Sequence, residues 1–425
     1  MRENCIVKIN DMIMVSIDDH VIEPPDLFEN HMPAAYKDKG PQFQRLDNGV
    51  DQWEFQGQVM GTVGLGATAS WPRSEWGFDP VGLADMRPGC YDIHQRIRDM
   101  NANGVLASVN FPTAAGFAGA WLAGMPDREL SAMAITAYND WQIDELAGSY
   151  PGRIIPMGIL PLWDNDACVK EIYRIAAKGC TTISFPETPY ANDLPGFYGD
   201  HWDSVLAAAE DTRIVLSMHI GGAFNLLKRP EGAHMDQLII LAAQLSGVAC
   251  TDLISSGTFK KFPNLKVALS EGGIGWVPFL LDRMDKHMWN QSWTHLDIGA
   301  ATATEIWKKN FLGCFITEPS NLRLIDRIGE HTVAWECDYP HSDSTWPLSP
   351  EMLMGELDGA GITDDSIINM ITWENACRFY RFDPFQHTPR EQASVGALRA
   401  LATDVDVSET SKSVYRQRYA TAVAD

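Results

Sequence analysis

Thiol clusters are missing from this chain: its eight cysteines are scattered over 425 residues, with no C-x-x-C pair and none of the spacing of a zinc ribbon. That excludes a disulfide scaffold or a thiolate metal site, and it fits buried thiols in a reducing cytoplasm. Basic charge is scarce as well. With 33 Lys and Arg against 56 Asp and Glu, the formal net charge is −23, which argues against nucleic acid or an anionic membrane as partner. No apolar run is long enough to span a bilayer, and the first residues, with Arg2, Glu3 and Asp11, do not read as a signal peptide. Internal repeats and heptads are absent too.

What is present is an alternation. Val15-Ser16-Ile17-Asp18-Asp19-His20 reads as an apolar strand, and residues from about 21 to 91 form a long Pro-, Gly- and aromatic-rich insertion of the kind that builds active sites. From Tyr91 onward helices and short apolar strands take turns. Strands are predicted over Val105 to Pro112, Ile154 to Leu160, Cys180 to Phe185, Arg213 to His219, Lys266 to Glu271, Cys314 to Glu318 and Thr332 to Asp338. With the opening strand these make eight, each followed by helical sequence. Continuous apolar strands of this kind belong to a parallel sheet covered on both faces. The expected fold class is α/β, a (β/α)8 TIM-type barrel over residues 1–384, with the insertion after strand one and a polar, alanine-rich extension over 385–425. A doubly wound sheet fits less well, because no Gly-rich phosphate turn follows the first strand.

In such a barrel the pocket is built from the C-terminal ends of the strands. Those ends carry Asp18 and His20, Glu187, His219, Glu271, Glu318 and Asp338, with His341 a few residues beyond. Residues i and i+2 of a strand share a face, so Asp18 and His20 are expected to point together. Carboxylates gathered that closely repel unless a cation holds them ionised, so a divalent metal centre is expected. Asp18, His20, His219 and Asp338 form the strong ligand set, with Glu271 next; Glu187 and Glu318 are candidates for outer partners or additional ligands. The oxygen-rich set suits one or two ions of zinc, iron or manganese. Trp71, Trp76, Trp121, Trp163, Trp276 and Trp346 fall in loops or past strand ends, where they are candidates to line an apolar substrate pocket.

Several stretches, taken in order, resemble one family. They are Ser16-Ile17-Asp18-Asp19-His20-Val21-Ile22-Glu23-Pro24, Met218-His219-Ile220-Gly221-Gly222, Phe262-Pro263-Asn264-Leu265-Lys266-Val267, Ser270-Glu271-Gly272-Gly273-Ile274-Gly275-Trp276-Val277-Pro278 and Cys337-Asp338-Tyr339-Pro340-His341. Together they resemble the amidohydrolase superfamily, in its amidohydrolase 2 branch, which includes amino-carboxymuconate-semialdehyde decarboxylase. The resemblance implies a distorted (β/α)8 barrel with one or two divalent metals, and often a homodimer. It also implies that Asp18 and His20 are the strand-one ligand pair, His219 the strand-five ligand and Asp338 the strand-eight aspartate that binds metal and moves a proton.

Two positions depart from the decarboxylases of that branch. Asp18 stands where they carry His or Glu, and Glu271 stands where they carry a histidine that exchanges a proton near the substrate. A carboxylate cannot replace that imidazole near neutral pH unless its pKa is strongly raised. The leading expectation is therefore a metal-dependent hydrolase, in which activated water attacks an amide, ester, lactone or thioester carrying a bulky apolar or aromatic acyl group. Asp338 would take the water proton and His341 would orient or protonate. The alternatives are a metal-dependent non-oxidative decarboxylase of an aromatic or unsaturated acid, and a catalytically silent barrel that keeps a metal or ligand site.

Overall fold

A computed structural model describes residues 7–60, 63–77 and 80–419. Arg2, Glu3 and Cys5 lie outside the described residues.

The opening strand, β1 (Val15–Val21), is buried along its whole length. The insertion contributes an antiparallel sheet of β2 (Gln42–Arg45), β3 (Asp51–Phe55) and β4 (Gln58–Met60). Its alternation is legible in β3, where Asp51, Trp53 and Phe55 face inward and the residues between them are half-buried. The remaining strands are β5 (Ala107–Pro112), β6 (Ile154–Ile155), β7 (Met157–Gly158), β8 (Thr182–Ser184), β9 (Val215–His219), β10 (Val267–Ser270), β11 (Phe311–Phe315) and β12 (Val333–Trp335). They pair in parallel in the orders β1-β5-β6 and β7-β8-β9-β10-β11-β12. Pro156 separates β6 from β7. Lacking an N–H, it interrupts the ladder, so one predicted strand pairs in two short pieces. Between the last strand and the first, Asp338 N donates to Asp18 O at 2.8 Å and His20 N donates to Tyr339 O at 2.7 Å. These bonds close the ring, and the fold is the expected TIM-type barrel.

Two helices show clear start and stop signals. Asp92 caps helix Ile93–Asn103 by accepting from Gln95 N, and Gly104, at φ 85°, stops it in the left-handed conformation that glycine adopts most readily. Thr302 and Glu305 form a reciprocal capping box for helix Ala303–Asn310. β11 also departs from expectation: it begins at Phe311, three residues before the predicted start, and ends at Phe315. The apolar Phe311-Leu312 pair continues directly from the helix, and Gly313 is tolerated because Trp307 fills the space beside it. Glu318 therefore lies in the loop beyond the strand rather than at its end.

The C-terminal extension packs against its own barrel. Val395 N donates to Met12 O at 2.8 Å, Thr410 N donates to Ser70 O at 2.7 Å, and Arg399 makes a two-pronged contact with Glu351. The insertion and the extension are thus fastened to each other and to the barrel. Among the described residues no single helix is long and apolar enough to cross a membrane.

Candidate metal centre

The register of β1 shifts between Ser16 and Asp19, so the strand bulges where its functional residues begin. Ser16 Oγ, 2.9 Å from Asp19 Oδ1, pins that bulge. Asp18 and His20 still converge, with His20 Nε2 lying 3.5 Å from Asp18 Oδ1. Across the barrel His219, the last residue of β9, brings Nε2 to 3.1 Å from His20 Nε2 and 3.4 Å from Asp18 Oδ2. Asp338 enters from the other side at 3.4 Å from His20 Nε2. His341 Nδ1 reaches Asp338 Oδ1 at 2.9 Å, and its ring lies 3.9 Å from that of His20. Glu271 Oε2 lies 3.1 Å from His219 Nε2. All six residues thus meet at one end of the barrel.

Backbone strain accompanies this convergence. Glu271 and Asp338 both sit at φ 57°, in the left-handed region that non-glycine residues seldom occupy. Each such conformation costs on the order of 1–3 kcal/mol and persists only where the surroundings enforce it.

The electrostatics fit a bound cation. Both carboxylate oxygens of Asp18 and both of Asp338 are buried without a hydrogen-bond partner in the chain. Burial, reinforced by Glu336 and Asp338, pushes the Asp18 carboxyl well above its ordinary range; burial does the same to Asp338, and to Glu271 with help from Asp338. Burial lowers His20 as well, and takes His219 to about 3 and His341 to about 4. His219 Nδ1 donates to the Ile220 carbonyl, which can only accept, so Nε2 presents its lone pair to the cluster. Neutral imidazoles facing unpaired carboxylate oxygens form the donor set of a divalent cation. Two overlapping groups, Asp18 with His20 and His219, and His20 with Asp338 and His341, each bring their ligand atoms within 4.8 Å of one another.

The other predicted residues have different surroundings. Glu318 is engaged by Ile274 N at 3.0 Å and by Asn321, and ties two loops together. Glu187 is buried in the wall of a cavity of about 650 Å³ that reaches His219. Of the six tryptophans only Trp163 lines that cavity among the described residues. The indole N–H groups of Trp71, Trp76, Trp276 and Trp346 donate to backbone carbonyls of Asp85, Trp71, Gly272 and Asp99, and Trp121 packs beside Phe55. Those five hold loops in place.

Four neighbours of the site carried no signal in the strand-end pattern. Phe117, in a loop after β5, stacks on His219 with ring centroids 4.3 Å apart. That loop is held by Glu23, whose carboxylate accepts from the N–H groups of Thr113, Ala114 and Ala115. Glu336 accepts from Glu271 N at 3.1 Å and lies against Cys314. Arg96 donates to His20 O and faces Asp19. Of these, Glu23 was visible inside a motif but not as an anchor.

A closed parallel barrel with a buried carboxylate–histidine cluster at the C-terminal ends of its strands defines a metal-dependent enzyme class. The profile of the amidohydrolase family matches residues 30–382, and the chain belongs to that family. The gamma-resorcylate decarboxylase of Rhodococcus jostii (strain RHA1) is 26% identical over 295 residues, covering 63% of this chain and 82% of the relative. An amidohydrolase of Mycobacterium avium subsp. paratuberculosis K-10 superposes with a TM-score of 0.67 at 19% identity, over 87% of this chain and 99% of the other. A 5-carboxyvanillate decarboxylase of Novosphingobium aromaticivorans, solved with manganese and 4-hydroxy-3-methoxy-5-nitrobenzoic acid, superposes with a TM-score of 0.56 at 17% identity, over 89% and 97%.

These findings overturn the hydrolase expectation. The curated relatives that match are decarboxylases, and no thioesterase or other hydrolase reading of Glu271 survives against them. The hydrolase expectation rested on Asp18 and Glu271, two positions against a likeness that runs over residues 30–382.

Proposed function

We propose that this enzyme is a divalent-metal-dependent, non-oxidative decarboxylase of an aromatic or unsaturated acid. The observation that carries this reading is the set of buried oxygens of Asp18 and Asp338 that make no hydrogen bond within the chain, gathered with His219, which itself lines a cavity walled by Phe117, Trp163 and Phe185. In this reading Asp18, His20, His219 and Asp338 would hold one ion; two carboxylates and two imidazoles suit manganese, zinc or iron, and manganese is the ion of the 5-carboxyvanillate decarboxylase structure. When bound, the ion supplies positive charge that anchors an acidic substrate and offsets charge developing on it.

The chain's own residues do the rest. Glu271 is the most open carboxylate of the cluster, its side chain 24% exposed beside the fully enclosed Asp18. Glu271 stands where the related decarboxylases are expected to carry histidine, and as the carboxylate of the cluster most open to a substrate it serves as proton donor; burial and the neighbouring Asp338 shift its carboxyl upward. The bond between the substrate carbon and its carboxylate breaks, carbon dioxide leaves, and the electron pair left on carbon takes the Glu271 proton. Solvent then restores Glu271. His341, whose Nδ1 lies 2.9 Å from Asp338 Oδ1, faces that carboxylate beside the ion's place.

The test is isotopic. Manganese-loaded enzyme is incubated in D2O, and separately in H2(18)O, with a panel of hydroxybenzoates and unsaturated acids. Released carbon dioxide with one deuterium at the vacated carbon is expected. Solvent 18O in a product carboxylate, without carbon dioxide, would refute the proposal.

A further inference from the structure

Glu271 faces the metal centre against the alternation of its own strand. Ser270 pairs with His219 in the parallel register of β10 and β9, so their side chains share the barrel interior with Ala268, while Val267 and Leu269 pack on the helix side. An extended residue 271 would follow Leu269 outward. The left-handed turn at φ 57° re-aims the side chain instead, and Glu271 Oε2 comes to 3.1 Å from His219 Nε2. That backbone conformation is unfavourable for a glutamate and persists only where neighbours enforce it.

Two carboxylates, one from the end of each of the next two strands, engage the turn. Glu336, the residue after β12, is 1% exposed and reaches past Cys314 of β11, whose thiol donates to its Oε2; the same oxygen accepts from Glu271 N at 3.1 Å. At the other end of the turn Glu318 Oε1 accepts from Ile274 N at 3.0 Å. Gly273, at φ 63°, leaves room for that oxygen, which a Cβ there would strike. Glu318 is fixed in its own place by Asn321 and by its N–H, which donates to Glu356 at 2.8 Å. Neither Glu336 nor Glu318 falls in the groups of converging ligand atoms at the metal centre.

We propose that Glu336 and Glu318 are positioning residues that clamp the 271–274 turn at its two ends and thereby hold the Glu271 carboxyl toward His219. The clamp stands on these contacts; its consequence for turnover rests on the decarboxylase reading.

Glu336→Gln and Glu318→Gln keep an acceptor oxygen for the backbone N–H, whereas Glu336→Leu and Glu318→Leu remove it. Crystal structures of the four manganese-loaded variants should show the left-handed turn and the approach of Glu271 to His219 kept in the glutamine variants and lost in the leucine variants. On the acid of the hydroxybenzoate and unsaturated-acid panel that wild type decarboxylates, kcat should fall about 10- to 100-fold in each leucine variant, the range of a lost hydrogen bond to a charged group. KM and metal content should stay unchanged, and the glutamine variants should keep the wild-type kcat. A turn that holds its place in the leucine variants, loss of metal from them, a rise in KM in place of a fall in kcat, or loss of turnover in the glutamine variants would each overturn the clamp. If Glu336→Leu fails to fold, Glu318→Leu, at a half-buried side chain, decides. Wild type that releases no carbon dioxide would refute the decarboxylase reading, and the crystal structures would still judge the clamp.

Discussion

Two buried charged clusters share Tyr339 and differ in how they are satisfied. On one side, Arg87 meets Asp99 with two bonds of 2.7 Å, Tyr339 Oη donates to Asp99 Oδ2 at 2.7 Å, and the Arg87 guanidinium also donates to Asp406 O and lies over Trp346. On the other, the Tyr339 carbonyl accepts from His20 N, and the adjoining Asp18 and Asp338 carboxylates make no hydrogen bond within the chain although His20 and His341 face them. Both clusters are enclosed, so burial alone does not mark a site. The first is complete within the protein and fastens the C-terminal extension to the barrel. The second is complete only with something the chain does not supply.

Removing one partner should separate the two. Arg87→Ala leaves Asp99 buried and unpaired, and the expected loss is about 3–5 kcal/mol of stability, read as a fall in urea midpoint, with metal content unchanged. A variant as stable as wild type would break the contrast, because the Arg87–Asp99 cluster would then be no more structural than the other.

A smaller effect is expected from pH. Burial raises Glu23 and Glu187 to about 7, so the folded protein holds those protons more tightly than the unfolded chain does. Their contribution is fully present below the ordinary glutamate range and fades as pH rises through 7. His219 and His341, lowered to about 3 and 4, act in the opposite sense: their stability is present above the ordinary histidine value and fades as pH falls. Chelated protein should therefore be most stable in mildly acidic solution, in a melting scan against pH. Manganese should shift the maximum upward, because it needs Asp18 and Asp338 ionised. Identical profiles with and without the ion would contradict the assignment, whereas the Arg87 cluster should show no metal dependence in either direction.

Much of this contrast was legible in the sequence, for reasons that differ by residue. Asp18, His20 and His219 stand in the last residues of their strands and Asp338 just past β12, and parallel-barrel geometry sends strand ends to one place. Glu318 lies as far past β11 as Asp338 lies past β12, but its loop turns it onto Ile274 N and Asn321 instead of into the cluster, which residue spacing does not display. The tryptophans were misread because residue type does not reveal where an indole N–H finds its acceptor, and four of the six spend theirs on backbone carbonyls. Phe117 was invisible, since its stacking on His219 depends on a loop that Glu23 anchors from far away in sequence. The activity was misjudged at Glu271, whose chemistry depends on an enclosure that the sequence does not display.

The most direct measurement is the metal content of protein loaded with manganese and dialysed, for wild type beside Asp338→Asn. The account predicts that wild type retains a full equivalent, and that Asp338→Asn keeps its circular dichroism spectrum while losing the ion together with turnover. Wild type that retains no divalent ion, or an Asp338→Asn variant that retains as much as wild type, would contradict it.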